Sequence, residues 1–104
     1  MFADELRKAV QERDRAGICR LIEGIPAGDW GYPGSPPYAQ AWKDSVEIAV
    51  LHVSGGSGIN TYDRVSVNIR WPDGRKDFGG CYSAGELRLP NYIHPSRRCS
   101  GGGP

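Results

Sequence analysis

Residues 64–82 read RVSVNIRWPDGRKDFGGCY. Val65, Val67, Ile69 and Trp71 alternate with Arg64, Ser66, Asn68 and Arg70. Side chains of an extended chain point to opposite faces with period two, so this is a strand with one apolar and one wet face. A helix would scatter the same residues around its axis. Pro72 then suits the second position of a type I turn, and Gly74 supplies the left-handed conformation. The run KDFGGCY returns as the next strand.

Setting Trp71 opposite Lys76 encloses Pro72, Asp73, Gly74 and Arg75. Ile69 then faces Phe78, Val67 faces Gly80, and Val65 faces Tyr82. On the polar face Arg70 sits opposite Asp77. Sliding by one residue would put Ile69 against Asp77, losing burial on one face with no gain on the other. A two-residue Asp-Gly turn keeps the register but leaves Pro72 without a ladder donor, so the longer loop is preferred. Gly79-Gly80 marks a bulge or a close approach by another group. Opposite Val67, Gly80 makes room for a ring such as Trp30 or Trp42.

Working upstream, Val46 to Ser54 is apolar on both faces. Val46, Ile48 and Val50 form one set, which His52 joins; Ala49, Leu51 and Val53 form the other. A strand covered on both sides fits, with a helix on one face and an aromatic loop on the other. The linker GGSGINTYD, residues 55–63, is a hairpin loop. It leads into a strand and lacks the Lys-Ser/Thr of a phosphate-cradling loop. Downstream, Glu86 to Leu89 is a candidate fourth strand, stopped by Pro90.

Residues 2–23 carry a helical stripe. Phe2, Leu6, Ala9 and Val10 repeat at helical spacing, with Asp4 and Glu5 in the first turn where the helix dipole favours them. The stripe falters at Arg13, Asp14 and Gly17 and resumes at Ile18, Leu21 and Ile22. One bent helix or two in sequence is expected, with Asp14 as a second cap and Gly24 as a left-handed terminator. This helical segment covers one face of the sheet.

Residues 24–43, GIPAGDWGYPGSPPYAQAWK, interleave Trp30, Tyr32, Tyr38 and Trp42 with prolines and glycines. An extended, partly polyproline-like loop is expected. Either Trp30 and Trp42 pin it across the open side of the sheet, or its rings are presented to a partner. Pro33 to Pro36 also matches a PxxP pattern, a weak signal.

Composition sets outer bounds. At 104 residues the chain is one domain with a modest core; residues 1–93 form it, and 94–104 read as a flexible, basic, Gly-rich tail. A net charge of +1 singles out neither nucleic acid nor membrane. The charged, amphipathic start MFADELRKAV does not read as a signal peptide. Three scattered cysteines fit a reducing compartment, hence a cytoplasm, better than a disulfide framework.

Chemistry-bearing clusters are weak. Cys19, Cys81, His94 and Cys99 are zinc-ligand types without a CxxC knuckle. Cys81 or Cys99 with His94 has no nucleophile signature. Arg64, Arg70, Arg75 and Lys76, with Arg88, Arg97 and Arg98, form a possible basic rim for single-stranded nucleic acid. No cofactor is implied. The expected architecture is α+β: an N-terminal helical segment on a three- to four-stranded antiparallel meander. The expected function is a non-enzymatic binding protein, an inhibitor or adaptor of phage or mobile-element type, contacting another protein through Trp30, Tyr32, Tyr38 and Trp42. A single-stranded nucleic-acid module is the alternative and a zinc protein the third reading. Pairing through a strand edge would give a homodimer.

Overall fold

The N-terminal stripe breaks at Arg13-Asp14, and two helices result: α1, Phe2–Gln11, and α2, Arg15–Glu23. Arg13 adopts a left-handed conformation at φ 55°. Its N–H donates to the Val10 carbonyl at 3.2 Å, and Asp14 N–H donates to Ala9 at 2.9 Å. These are the paired bonds of a Schellman ending, built here on arginine where glycine is usual. Asp14 also begins α2, its side chain accepting from Gly17 N–H at 3.0 Å. The capping role assigned to Asp14 holds. The left-handed role assigned to Gly24 does not, because Gly24 is right-handed at φ −78°.

A computed structural model describes residues 1–33, 37–56, 58, 62–83 and 85–90. The helices pack on one face of a five-stranded antiparallel sheet of order β1-β2-β3-β4-β5. The strands are β1, Trp30–Gly31; β2, Ala39–Lys43; β3, Val46–Gly55; β4, Tyr62–Arg70; and β5, Lys76–Ser83. The expected meander is therefore β3 to β5, extended by two strands from the segment read as an irregular loop. A short 3-10 turn at Ala27–Asp29 leads into β1. Pro and Gly did not prevent pairing, because β1 is an edge of two residues and β2 contains neither.

The core lies between helices and sheet. Leu6, Ile18 and Ile22 meet Val46, Ile48, Val50, Val65, Val67, Ile69 and Tyr82. Each fully buried aliphatic side chain contributes about 1.5–3 kcal/mol relative to exposure. Ala39 and Ala41 are fully buried on the same face of β2. Glu86 to Leu89 is not a strand. It buries Leu87 and Leu89 against the core as an irregular strap. Arg15 ties the strap through Glu86 at 2.8 Å, and Glu23 accepts from Arg88 N–H at 2.9 Å.

The β4–β5 register splits in two. Val65 pairs with Tyr82 and Val67 with Gly80, as hydrophobic matching predicts. Nearer the turn it shifts by one: Asn68 pairs with Phe78, Ile69 with Asp77 and Arg70 with Lys76. The cause is a tighter loop. Trp71 N–H donates to Arg75 at 2.8 Å and Gly74 N–H to Trp71 at 2.9 Å, with Gly74 at φ 89°. A type I turn followed by a left-handed glycine closes three residues rather than four. The Trp71 indole N–H donates to the Asp77 carboxylate, so the shift supplies an acceptor for a buried ring. Gly79 is the extra residue, and the bulge there restores the outer register. A Cβ on Gly80 would lie 3.0 Å from the Tyr82 hydroxyl oxygen, so the ring that Gly80 makes room for is Tyr82 rather than Trp30 or Trp42.

Candidate functional site

The sheet has a second face, and no described element covers it. Its side chains follow from the register. Trp42, Glu47, Arg70 and Lys76 form one row across β2 to β5; Gln40, Ala49, Asn68 and Phe78 form the next. Leu51, Ser66 and Cys81 follow, then Val53, Arg64 and Ser83. The expected aromatic cover for Ala49, Leu51 and Val53 is thus missing among the described residues. Val53 is 37% exposed.

Two rings dominate this face. Phe78 is 60% exposed and Trp42 52%. Hydrophobic matching puts Phe78 in the core opposite Ile69; the one-residue shift turns it to the other side. Together with Asp77 it lines two shallow grooves. One runs over Glu47, Ala49, Leu51 and Asn68 on the outer face. The other runs past Val10, Arg13 and Ile18, where the helical elbow meets β5.

Glu47 organises the row beside Trp42. Its carboxylate pairs with Arg70 at 3.0 Å and accepts from Gln40. Arg70 in turn lies over the Trp42 ring, 5.4 Å from its centroid. Arg70 was expected opposite Asp77. Asp77 instead faces the helices and serves Trp71, whose other partner is Arg7, 4.8 Å from its centroid.

The remaining aromatics of residues 24–43 are not on this face. Trp30 is 7% exposed, in the core, and its indole nitrogen has no partner among the described residues. Tyr32 is half-buried and donates to the Pro90 carbonyl. Tyr38 is half-buried, edge-on to His52 at 5.5 Å. The structure therefore separates the proposed recognition rings, leaving Trp42 alone of the four at an open surface. Phe78 joins it. The signal in the sequence for an outward Phe78 is Gly79-Gly80, because an extra residue in the strand flips the face of the side chain on its turn side.

Of the basic residues, Arg64, Arg70 and Lys76 stand on the outer face, with Lys76 opposite Arg70. Arg75 lies in the turn, paired with Asp73 at 3.8 Å. Cys19 sits on the helical side and Cys81 on the outer face; both are free thiols. Burial pushes the Cys19 thiol above its ordinary pKa, which disfavours a nucleophilic thiolate. His94, Arg97, Arg98 and Cys99 lie outside the described residues, as do residues 34–36 of the PxxP pattern and residues 57 and 59–61 of the Gly-rich loop. Among the described residues no group of His, Cys, Asp or Glu is placed to hold a metal.

The edge strand β5 is partly closed. Arg15 donates to the Cys81 carbonyl at 2.8 Å while lying 4.5 Å from the Tyr82 ring centroid. The Tyr82 hydroxyl donates to the Gly79 carbonyl at 2.5 Å. A bulge and a cation on an edge strand make it a poor template for a further strand. No helix among the described residues is long and apolar enough to cross a membrane. Comparison with protein-family models, curated proteins and solved structures finds no match to this chain.

Proposed function

We propose that the protein is a non-enzymatic binding protein that contacts another protein through the outer face of its sheet. The supporting observation is the bulge at Gly79, which turns Phe78 outward onto the face that already carries Trp42. Exposing a phenylalanine forgoes about 1.5–3 kcal/mol of burial. Bulges re-aim side chains at functional sites, and exposed aromatics rimmed by polar groups mark interaction surfaces. Trp42 and Phe78 replace the four-ring loop as proposed anchors. Leu51, Val53 and Ala49 supply apolar contact between and beside them. The finer elements belong to the same proposal: an inhibitor or adaptor of a host complex, of phage or mobile-element origin, working in a cytoplasm. A homodimer through the β5 edge is disfavoured by the bulge and by Arg15.

A second reading has its own support. Arg64, Arg70 and Lys76 share the face with two exposed rings, which is the chemistry of single-strand binding. Its weight is reduced by Glu47, which neutralises Arg70.

One comparison tests both. Capture from the native host is run with wild type and with Phe78→Ser/Trp42→Ser, followed by mass spectrometry and nucleic-acid detection. The proposal expects a discrete protein partner that the variant loses. Identical captured proteins from both, or recovery of nucleic acid that falls steeply with salt, would contradict it.

A further inference from the structure

The outer face is uneven in its charge pairing. The one carboxylate in the described rows of this face, Glu47, is already engaged. Glu47 holds Arg70 and Gln40; beside the face, Asp73 in the turn holds Arg75 and Asp77 accepts from the Trp71 indole. The cations are not all matched. Arg64 and Lys76 have no ion-pair partner among the described residues. An incoming carboxylate meets open cations there, whereas an incoming cation meets only occupied carboxylates. Such complementarity selects partner and orientation more than raw affinity.

The two cations stand at opposite ends of the face. Arg64 lies in the row with Val53 and Ser83, while Lys76 is paired across from Arg70 at the other end of β4. From Arg64 to Arg70 the strand advances about 20 Å at ~3.3 Å per residue. Between them lie Leu51 and the Phe78 ring, over the outer groove.

We propose, resting on the protein-contact reading above, that this face docks an extended acidic segment of a partner protein. The segment lies along β4, with carboxylates at Arg64 and Lys76 about six residues apart and an apolar side chain between them against Phe78 and Leu51. It packs flat on the face rather than adding to the β5 edge. A second copy of this chain is a poor occupant, because Arg64, Arg70 and Lys76 would meet their own kind with only Glu47 to offset them.

The test pans the immobilised full chain with random peptides of about twelve residues, long enough to span the face when extended. The expected consensus is two acidic residues about six apart flanking an aromatic or aliphatic residue. A synthetic consensus peptide should then lose at least about tenfold in affinity on Arg64→Glu/Lys76→Glu, and a similar factor on Phe78→Ser. All these side chains are exposed, so folding, checked by circular dichroism, stays intact. Enriched peptides that are uncharged or basic yet depend on Phe78 overturn the acidic segment and leave the sheet-face reading standing. Peptides indifferent to both Phe78→Ser and Trp42→Ser overturn both. Absence of any enriched peptide overturns the extended-segment proposal. So does tighter binding of an oligodeoxythymidylate probe that the same charge reversals abolish, because the face would then serve nucleic acid.

Discussion

Phe78 lies opposite Asn68, not opposite Ile69, and its ring is therefore on the uncovered side of the sheet. The arrangement depends on Gly79 and Gly80. Alanine at Gly79 would press on Val67 Cγ1 at 2.9 Å and Ile69 Cδ1 at 3.1 Å. Alanine at Gly80 would add strain at φ 111° and crowd the Tyr82 hydroxyl at 3.0 Å. Each should destabilise by about 1–3 kcal/mol, read as a lower urea midpoint with an unchanged slope.

Asp77 is the acceptor for a buried indole. Asp77→Ala should cost about 1–3 kcal/mol, the penalty of an orphaned donor. Asp77→Asn keeps an acceptor oxygen and should recover part of the loss. Equal losses in both variants, measured by urea unfolding, would show that the carboxylate charge rather than acceptance matters.

These two sites explain what the sequence reveals and what it hides. Alternation in β4 identified the buried face, and Asp14 identified a helix boundary, since both signals are local. Hydrophobic matching placed Val65 against Tyr82 and Val67 against Gly80. It failed at Ile69 because it weighs burial alone. The indole N–H of Trp71 also needs an acceptor, and a three-residue loop with left-handed Gly74 provides one by bringing Asp77 alongside. The outward Phe78 follows from that shift and from the bulge, neither of which carries a periodic signal. β2 was hidden differently. Its core positions are Ala39 and Ala41, too weakly apolar to stand out beside Pro and Gly, yet both are wholly buried.

Left-handed residues that are not glycine offer a gain in stability. Arg13 ends α1 at φ 55°, and Asp44-Ser45 close the β2–β3 hairpin at φ 51° and 64°. A two-residue hairpin loop with both φ positive favours glycine in its second position. Arg13→Gly and Ser45→Gly should each stabilise by about 0.5–1 kcal/mol, and the two should add, as distant sites do. Thermal denaturation of the single and double variants checks this.

The alkaline limb of stability should report Tyr82. Burial raises its pKa from 10.0 to about 12, with the negative charge of the Cys19 thiolate adding to the shift and Arg15 opposing it. A folded-state pKa above the unfolded value means stabilisation that is complete below pH 10 and lost as pH rises toward 12. Tyr82→Phe removes the hydrogen bond to Gly79 and should flatten that limb between those pH values. An unchanged pH profile would place the titration elsewhere.

The acid limb should report the strap. Hydrogen bonds from Arg15 and Ser83 hold the Glu86 carboxyl below its ordinary pKa. A depressed folded-state pKa stabilises at pH above the unfolded carboxylate value and is lost as pH falls through the folded one. Glu86→Gln should therefore weaken the acid dependence, and protection of the Arg88 amide from hydrogen exchange should fall with it.

Urea unfolding of Phe78→Ser tests the central claim most directly, because everything said of the outer face depends on where that ring points. An exposed position predicts a change within about 0.5 kcal/mol of wild type. A loss of about 3 kcal/mol or more would put Phe78 in the core opposite Ile69 and remove the anchor of the proposed binding face.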